Sequence, residues 1–331
     1  VLIPLSYARQ RVLIFGIGAR ARMVGKSLQK NDPSTELVGY FSGPRETEAE
    51  VSAWGVISPG PTLTDVVKMH RVDEIVVALS ERRGGSMPMQ ELLECKLNGV
   101  RVIDVATYFE EFLGQIHLDA VSTGWLIFGG GFNQGFTRSS IKRLFDIFGA
   151  SILLVATSPM MLVASLLIFL EGGGPILYRQ ERVGLHGRTF SVIKFRSMRN
   201  DAEKDGTPRW ASAGDARVTR VGKFMRKMRI DELPQLFCVL KGDMSLVGPR
   251  PERPFFVDRL TQQIPYYAVR HSVKPGLTGW AQVRYHYGAS VEDTEQKLQY
   301  DLYYVKNNSL FLDLVVLFET VGVVLTGKGA Q

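Results

Sequence analysis

The sequence predicts an α/β protein in two parts. An N-terminal Rossmann-like domain with a parallel sheet occupies residues 1–130, and a linker follows at 131–140. Residues 141–331 form a mostly α-helical, monotopic membrane domain that begins with a re-entrant helix hairpin at about 141–171. Three observations carry this prediction. Strand and helix signals alternate through the first hundred residues, the pattern of a parallel sheet covered by helices. An uncharged run of 24 residues, 147–170, is long enough to span a bilayer as one helix. Between Gly174 and Arg253, 17 Lys and Arg stand against 9 Asp and Glu, whereas the whole chain of 331 residues carries only +7. Such a local excess suits an anionic partner.

In the first part, R-V-L-I-F-G (11–16) reads as a buried strand, followed by G-I-G-A-R-A (16–21) and a helix to Lys30. Further strands are expected at 37–41, 75–79 and 100–105, with helices at 63–70 and 87–98. The glycines after the first strand would let a pyrophosphate approach the helix N-terminus. The acid that normally holds a ribose at the end of the second strand is missing, because the chain there reads Gly39-Tyr40-Phe41-Ser42. Arg20 and Arg22 are left as contacts for an anion. A structural role, a regulatory ligand and cofactor turnover all stay open for this domain.

The apolar run is interrupted at its midpoint by Ser158-Pro159. Proline removes a helix hydrogen bond and clashes with the preceding turn. Each half, at about 17 Å, is too short to cross alone, but the pair can enter and return. Arg138, Lys142 and Arg143 before the run, and Arg179, Arg182 and Arg188 after it, favour both ends on the cytoplasmic side. Thr157 and Ser158 can bond the carbonyl groups that the proline frees. The competing readings are a kinked spanning helix and a buried helix pair. The later apolar stretch, 310–325, is broken by Asp313 and Glu319, so it is expected on the membrane surface or against the core. The polar stretch 200–216 reads as a loop that closes over a substrate. Val1–Leu5 is too short for a signal peptide, and a start at Val rather than Met suggests further sequence upstream.

Two cysteines (Cys95, Cys238) and five scattered histidines make neither a disulfide framework nor a zinc site. The chemistry is expected in one block: K-F-R-S-M (194–198), R-I-D-E-L-P-Q (229–235), G-D-M-S-L-V-G-P-R-P-E (242–252) and K-P-G-L-T-G-W-A-Q (274–282). Leu233, Leu236, Phe237 and Leu240 fall at i, i+3, i+4 and i+7, which places Asp231 at a helix N-cap and Pro234 in its first turn. A cap is one reading of Asp231-Glu232. The other is a pair of acids that binds Mg²⁺ while one of them attacks phosphorus. That use requires cations nearby, for which Arg226, Lys227, Arg229, Lys194 and Arg196 are at hand. Arg250, between Pro249 and Pro251, sits on a stiff backbone and can take a phosphate in two-point contact. Nucleic acid is set aside, since no helix-turn-helix, zinc-finger or RNP pattern accompanies the basic block.

These motifs, with D-A-R-V-T-R-V-G (215–222) and Y-D-L-Y-Y-V (300–305), resemble the bacterial sugar transferases, the monotopic polyprenyl-phosphate hexose-1-phosphate transferases. The resemblance runs from about Thr137 to Gln331, and the Rossmann-like part resembles the longer exopolysaccharide-type members. It implies transfer of a hexose-1-phosphate from a nucleotide sugar, usually UDP-linked, to undecaprenyl phosphate, with release of the nucleoside monophosphate. It also implies that Asp231 is the nucleophile, that Glu232 assists in the metal site or in proton handling, and that Mg²⁺ neutralises the diphosphate. Lys194, Arg196, Arg226, Arg250, Gln282 and Arg284 would bind substrate or phosphate. Ser158-Pro159 would be the break in a re-entrant helix. The catalytic and Rossmann-like domains would then lie on the cytoplasmic face of a bacterial inner membrane, in contact with its lipids, with a homodimer compatible with the longer members. The chain departs from the family at Cys238, where many members have Asn, and after W-A-Q, where it reads V-R-Y-H-Y (283–287). Arg284 is taken as the replacement for a displaced arginine.

Two other functions compete. A Rossmann-type dehydratase or epimerase is opposed by the missing ribose acid and the absence of a Y-x-x-x-K pair. A non-catalytic scaffold of polysaccharide assembly is opposed by the intact D-E and P-R-P motifs.

Overall fold

The computed structural model describes residues 9–31, 34–43, 46, 49–52, 55–57, 62–79, 87–121, 126, 130–132, 135–202, 215–285 and 290–326. The chain forms two compact units, 1–122 and 123–331.

In the first unit, strands β1 (Gln10–Phe15), β2 (Thr35–Phe41), β3 (Glu74–Val77) and β4 (Arg101–Asp104) pair in parallel in the order β2-β1-β3-β4. The helices are α1 (Ala19–Asn31), α2 (Leu63–His70), α3 (Met89–Leu97) and α4 (Val105–Leu113). Successive residues of β1 point to opposite faces. Val12 and Ile14 pack with Ala21, Val24, Tyr108 and Phe109 of α1 and α4. Leu13 and Phe15 pack with Leu63, Val66, Leu92 and Cys95 of α2 and α3. The parallel sheet expected for this part is present, with a helix pair on each face.

The loop after β1 has a tight entry. Gly16 has φ 137°, and a Cβ there would stand 2.9 Å from the backbone of Ala78. One amide of the loop that the sequence pattern offers to a pyrophosphate, that of Ile17, is taken up internally, by a carboxylate that also reaches the loop after β2. Glu46 Oε2 accepts from Ile17 N at 3.0 Å and from Gly43 N at 3.1 Å. The two arginines of this loop are also engaged. Arg20 donates to the carbonyl groups of Leu79 and Asp119, and Arg22 pairs with Glu50 at 3.1 Å.

The second unit opens with α5 (Phe136–Gly172). An antiparallel hairpin follows, β5 (Leu177–Val183) and β6 (Thr189–Phe195), and then α6 (Arg220–Lys227). A 3-10 turn, Ile230–Gln235, leads into α7 (Leu236–Lys241). Strand β7 (Ser245–Val247), α8 (Pro254–Gln263) and a 3-10 turn at Tyr267–Ser272 come next. Strand β8 (Gly276–Thr278) pairs in parallel with β7. Helices α9 (Trp280–Arg284), α10 (Val291–Asn307) and α11 (Leu310–Thr326) complete the unit. Its core gathers Leu236, Val239, Leu246, Val247, Trp280, Tyr304 and Val316.

Helix α5 begins inside the expected linker, at Phe136, and continues through Ser158-Pro159 as one element. The two separate halves expected from the sequence do not show. Pro159 has no N–H for the Val155 carbonyl, and the Ser158 hydroxyl donates to that carbonyl at 2.8 Å. The Thr157 hydroxyl donates to the Leu153 carbonyl at 2.7 Å, which is not one that the proline frees. One stripe of α5 faces the protein: Asp146, Ala150, Leu154, Met161, Ala164 and Ile168. Between residues 147 and 170 most of the other side chains are apolar and exposed, including Phe148, Val155, Leu162 and Phe169.

The acids that interrupt the last apolar stretch explain the placement of α11 against the core. Asp313 is fully buried and accepts from Lys142 Nζ at 2.8 Å and from the Tyr304 hydroxyl at 2.7 Å. The stretch 203–214, within the loop expected to close over a substrate, lies outside the described residues.

Helix α6 approaches its neighbour as closely as backbone allows. A Cβ on Gly222 would lie 2.0 Å from the Ser197 carbonyl oxygen. Gly222→Ala is therefore expected to destabilise the unit by about 1–3 kcal/mol, as overpacking does, despite alanine's better helix propensity. Denaturant unfolding of both proteins checks this, and an unchanged midpoint would refute the close contact.

Candidate active site

The site is assembled by segments far apart in sequence. Strand β6 ends in Lys194-Phe195 and sends Lys194 to the acids while Phe195 enters the core. Helix α6 ends at Lys227, and Arg229 takes the left-handed conformation (φ 57°, ψ 18°), which turns the chain sharply into the 3-10 turn. The turn buries Ile230, Asp231 and Glu232 together. Asp231 does not serve as the expected N-cap, since no side-chain cap bond is made there. Phe237 leaves the expected apolar face and is 48% exposed. The tighter 3-10 winding shifts the phase of every side chain after it.

Glu232 is held from three directions. Lys194 Nζ donates to Oε1 at 3.0 Å, Arg250 Nη2 donates to the same oxygen at 2.5 Å, and Arg229 Nη1 stands 3.6 Å from Oε2. Burial alone would raise the pKa of this carboxyl, but Arg250, Lys194 and Arg229 outweigh it and hold it well below the usual glutamate value. Lys194 is shifted downward by its own burial, and Arg250 and Arg182 add to that, while Glu232 opposes it. Asp231 differs from its neighbour. Among the described residues no donor hydrogen-bonds to its carboxylate. Burial raises its pKa, the charge of Glu232 raises it further, and Lys194, Arg226 and Arg250 act in the opposite sense. An ionised oxygen with no hydrogen-bond donor is a better nucleophile than one already engaged.

Arg226 donates to the Ser197 hydroxyl at 2.9 Å, and its charge acts on Asp231. Five of the residues singled out in the sequence therefore converge: Asp231, Glu232, Lys194, Arg226 and Arg250. Three do not join them. Arg196 donates to the Ile168 and Gly173 carbonyl groups and to Asn200, closing the C-terminal end of α5. Arg284 stacks 4.3 Å above the Trp280 ring and pairs with Glu319 at 2.7 Å. Among the described residues the buried side-chain oxygen of Gln282 has no hydrogen-bond partner.

Arg229, which the sequence offered as one of several nearby cations, and Lys297, which sequence reasoning passed over, border the site. Arg229 carries a direct ion pair to Glu232, and its position next to the acids was the available signal. Lys297, on α10, acts electrostatically with Glu252 and Arg250, and no sequence signal connects it to them. The glycines of two motifs have a further purpose. A Cβ on Gly276 would come 2.1 Å from Gly248 N, and one on Gly279 2.2 Å from Gly248 O. The backbones that carry β7, β8 and Arg250 can meet only without side chains at these positions.

Among the described residues no three His, Cys, Asp or Glu side chains converge as a metal cage. With Glu232 engaged by cations, the open oxygen donors are those of Asp231. One carboxylate beside a diphosphate fits Mg²⁺, which takes one or two carboxylates together with phosphate oxygens and water. It does not fit a transition metal.

A carboxylate with no hydrogen-bond donor among the described residues, ringed by cations that exceed the local acids, in a unit that carries one long exposed apolar helix, fits an enzyme class that works on phosphorylated substrates beside a membrane. The description bacterial sugar transferase matches residues 137–327, and the chain belongs to that family. It is 43% identical over 261 residues to a UDP-N-acetylgalactosamine-undecaprenyl-phosphate N-acetylgalactosaminephosphotransferase of Aeromonas hydrophila, covering 79% of this chain and 61% of that protein. It is 40% identical over 328 residues to a UDP-glucose:undecaprenyl-phosphate glucose-1-phosphate transferase of Escherichia coli, covering 96% of this chain and 68% of the relative. The protein of the same name in Xanthomonas campestris is 33% identical over 332 residues, with 97% and 68% covered. The chain thus spans about two thirds of the length of these relatives.

Carboxyl-resolved NMR titration tests the electrostatics directly. Asp231 is expected to titrate above the ordinary aspartate value of 3.8 and Glu232 below 4.5. Glu232→Gln removes a negative neighbour and leaves the cations unshared, so both effects should move Asp231 downward. The sign for stability follows by linkage: the Glu232 cluster contributes above the unfolded glutamate pKa and is lost as pH falls through the folded one. Titration of the two acids in the reverse order would refute the assignment.

Proposed function

We propose that this protein transfers a hexose-1-phosphate from a UDP-sugar to undecaprenyl phosphate, priming polysaccharide synthesis. The observation that carries the reading is the asymmetry of the two acids: Glu232 is fixed by Arg250, Lys194 and Arg229, while Asp231 stands open beside it. In the first step an Asp231 oxygen attacks the sugar-bearing phosphorus, the P–O bond to the other phosphate breaks, and UMP leaves with the electron pair. In the second step an oxygen of the lipid phosphate attacks the same phosphorus and the acyl-phosphate bond breaks, which regenerates Asp231. The product is a lipid diphosphate sugar. Arg250, Lys194 and Arg226 supply fixed positive charge for the phosphates. Glu232 stays ionised, which favours holding these cations in place over proton transfer. Mg²⁺ would be held by Asp231 together with the phosphate oxygens of the donor, with Glu232 beside it fixing the cations, and would neutralise diphosphate charge.

The membrane reading rests on α5. Asp146 and Ile168 are separated by about 33 Å of helix, close to the bilayer's apolar thickness of about 30 Å. Yet Ala150 packs with Leu246 and Val239, and Ala164 and Ile168 pack with Phe195, Met225 and Ile230 of the same unit. A perpendicular span would drag that unit through the bilayer. Both ends on the cytoplasmic face, with the helix re-entering at Ser158-Pro159, avoids that cost and brings Asp231 to the lipid phosphate. The relatives named for glucose and for N-acetylgalactosamine set the donors to test first.

Purified protein in nanodiscs with Mg²⁺, undecaprenyl phosphate and single nucleotide sugars is expected to release UMP from one donor. Asp231→Asn should lower that rate on the order of 10³-fold or more, as loss of a nucleophile does, with melting retained; full activity in this variant would sink the mechanism. For topology, single cysteines replacing Arg138 and Arg179 should label from the same side in intact cells, against a low background because Cys95 and Cys238 are buried. Pro159→Leu should separate the two labels across the membrane. Labels on opposite faces already in the unaltered helix would rule out re-entry.

A further inference from the structure

The loop carrying Arg250 has a peculiarity of composition. Pro249 and Pro251 have no N–H, so the loop can be held almost only through its carbonyl oxygens. Each of four successive carbonyls has a donor. Gly276 N reaches Pro249 O at 3.0 Å, and Val183 N reaches Glu252 O at 2.9 Å. The two between them are taken by guanidinium groups: Arg270 Nη2 donates to Arg250 O at 3.0 Å, and Arg182 Nη1 donates to Pro251 O at 3.0 Å.

Both arginines are themselves fixed. Arg270 is 6% exposed; its Nε and Nη2 donate to Asp301 Oδ2 at 3.1 and 2.7 Å, and its Nη1 to the Tyr267 hydroxyl at 2.7 Å. Arg182 also donates to Gln180 Oε1 at 2.6 Å and pairs with Glu252 at 3.4 Å. A buried arginine held by one carboxylate and one phenol, and spending its remaining donor on a loop carbonyl, has a defined angle that lysine cannot reproduce. Asp301 belongs to Y-D-L-Y-Y-V, a motif to which the reaction itself gives no task.

We infer that Arg182 and Arg270, with Asp301 behind Arg270, are positioning residues that set the direction of the Arg250 guanidinium toward Glu232 and the donor diphosphate. This rests on the transferase reading. The chain of contacts runs from Asp301 through Arg270 to the Arg250 carbonyl, and from the Arg250 guanidinium to Glu232. The geometry makes their effect conditional on Arg250 being present.

The test is a double-mutant cycle on the full chain in nanodiscs. Arg182→Lys and Arg270→Lys are each made alone and in an Arg250→Ala background, with donor and lipid varied in turn. Each lysine variant alone is expected to raise the donor KM or lower kcat by about tenfold, the order of loss that a small misplacement causes, with the lipid KM unchanged. In the Arg250→Ala background the same change should cost less than about twofold, because coupled residues are not additive. Equal losses in both backgrounds would make the arginines merely structural and overturn the inference. If the lysine variants unfold, Tyr267→Phe, which removes one acceptor from Arg270, enters the same cycle. If no donor is turned over by the unaltered protein, the transferase reading fails; the cycle is then read on affinity for inorganic pyrophosphate, where additive losses again overturn the positioning role.

Discussion

Glu232 is the group on which the catalytic unit turns. A buried carboxylate without partners costs several kcal/mol, so the segments that supply its cations must meet. They come from the end of a strand (Lys194), from a left-handed turn (Arg229) and from a proline-flanked loop (Arg250). Their convergence fixes where the hairpin, the 3-10 turn and the β7–β8 crossing lie relative to each other. It also accounts for the difference between two adjacent acids of similar burial. Once Glu232 has collected the hydrogen bonds, Asp231 has none to give up before reacting.

The sequence made the sheet and the acid-base centre legible because both are local patterns. Alternation along β1 is a period-two signal, and Asp231, Glu232, Lys194 and Arg250 sit in compact motifs. Arg196 shows where such reasoning stops. It stands two residues after Lys194, which would put both on one face of a strand, but β6 ends at Phe195 and Arg196 turns to the carbonyl groups at the end of α5. Arg284 was placed by analogy with a displaced arginine; on a short helix it lies four residues after Trp280 and stacks on that ring instead. Phe237 was misplaced because a 3-10 turn has a different period from the helix it precedes. The tasks of Arg182 and Arg270 had no local signature, since their acceptors lie 69 and 20 positions away.

The first unit presents the same contrast between pattern and use. Its glycine loop has the form that receives a phosphate, and Gly16 is required there by the approach of Ala78. The Ile17 amide nevertheless meets a carboxylate of the same chain, Glu46, and the flanking arginines meet protein carbonyls and Glu50. Composition could show the missing ribose acid but not the internal substitute. In α5, by contrast, the residue types did announce the outcome: a proline frees one carbonyl, and the serine before it is the nearest hydroxyl able to cover it. In an apolar medium an uncovered carbonyl is costly, so the pair Ser158-Pro159 permits a bend without leaving a polar gap.

A loop whose backbone is held mainly through carbonyl oxygens has an unusual spectroscopic character. Between Gly248 and Glu252 only Arg250 carries an amide hydrogen, because both of its neighbours are prolines. Amide hydrogen exchange across the phosphate-facing segment thus reduces to a single proton. The stitches that hold the loop are read from outside it, at the amides of Gly276 and Val183, whose exchange follows two of the four carbonyl contacts.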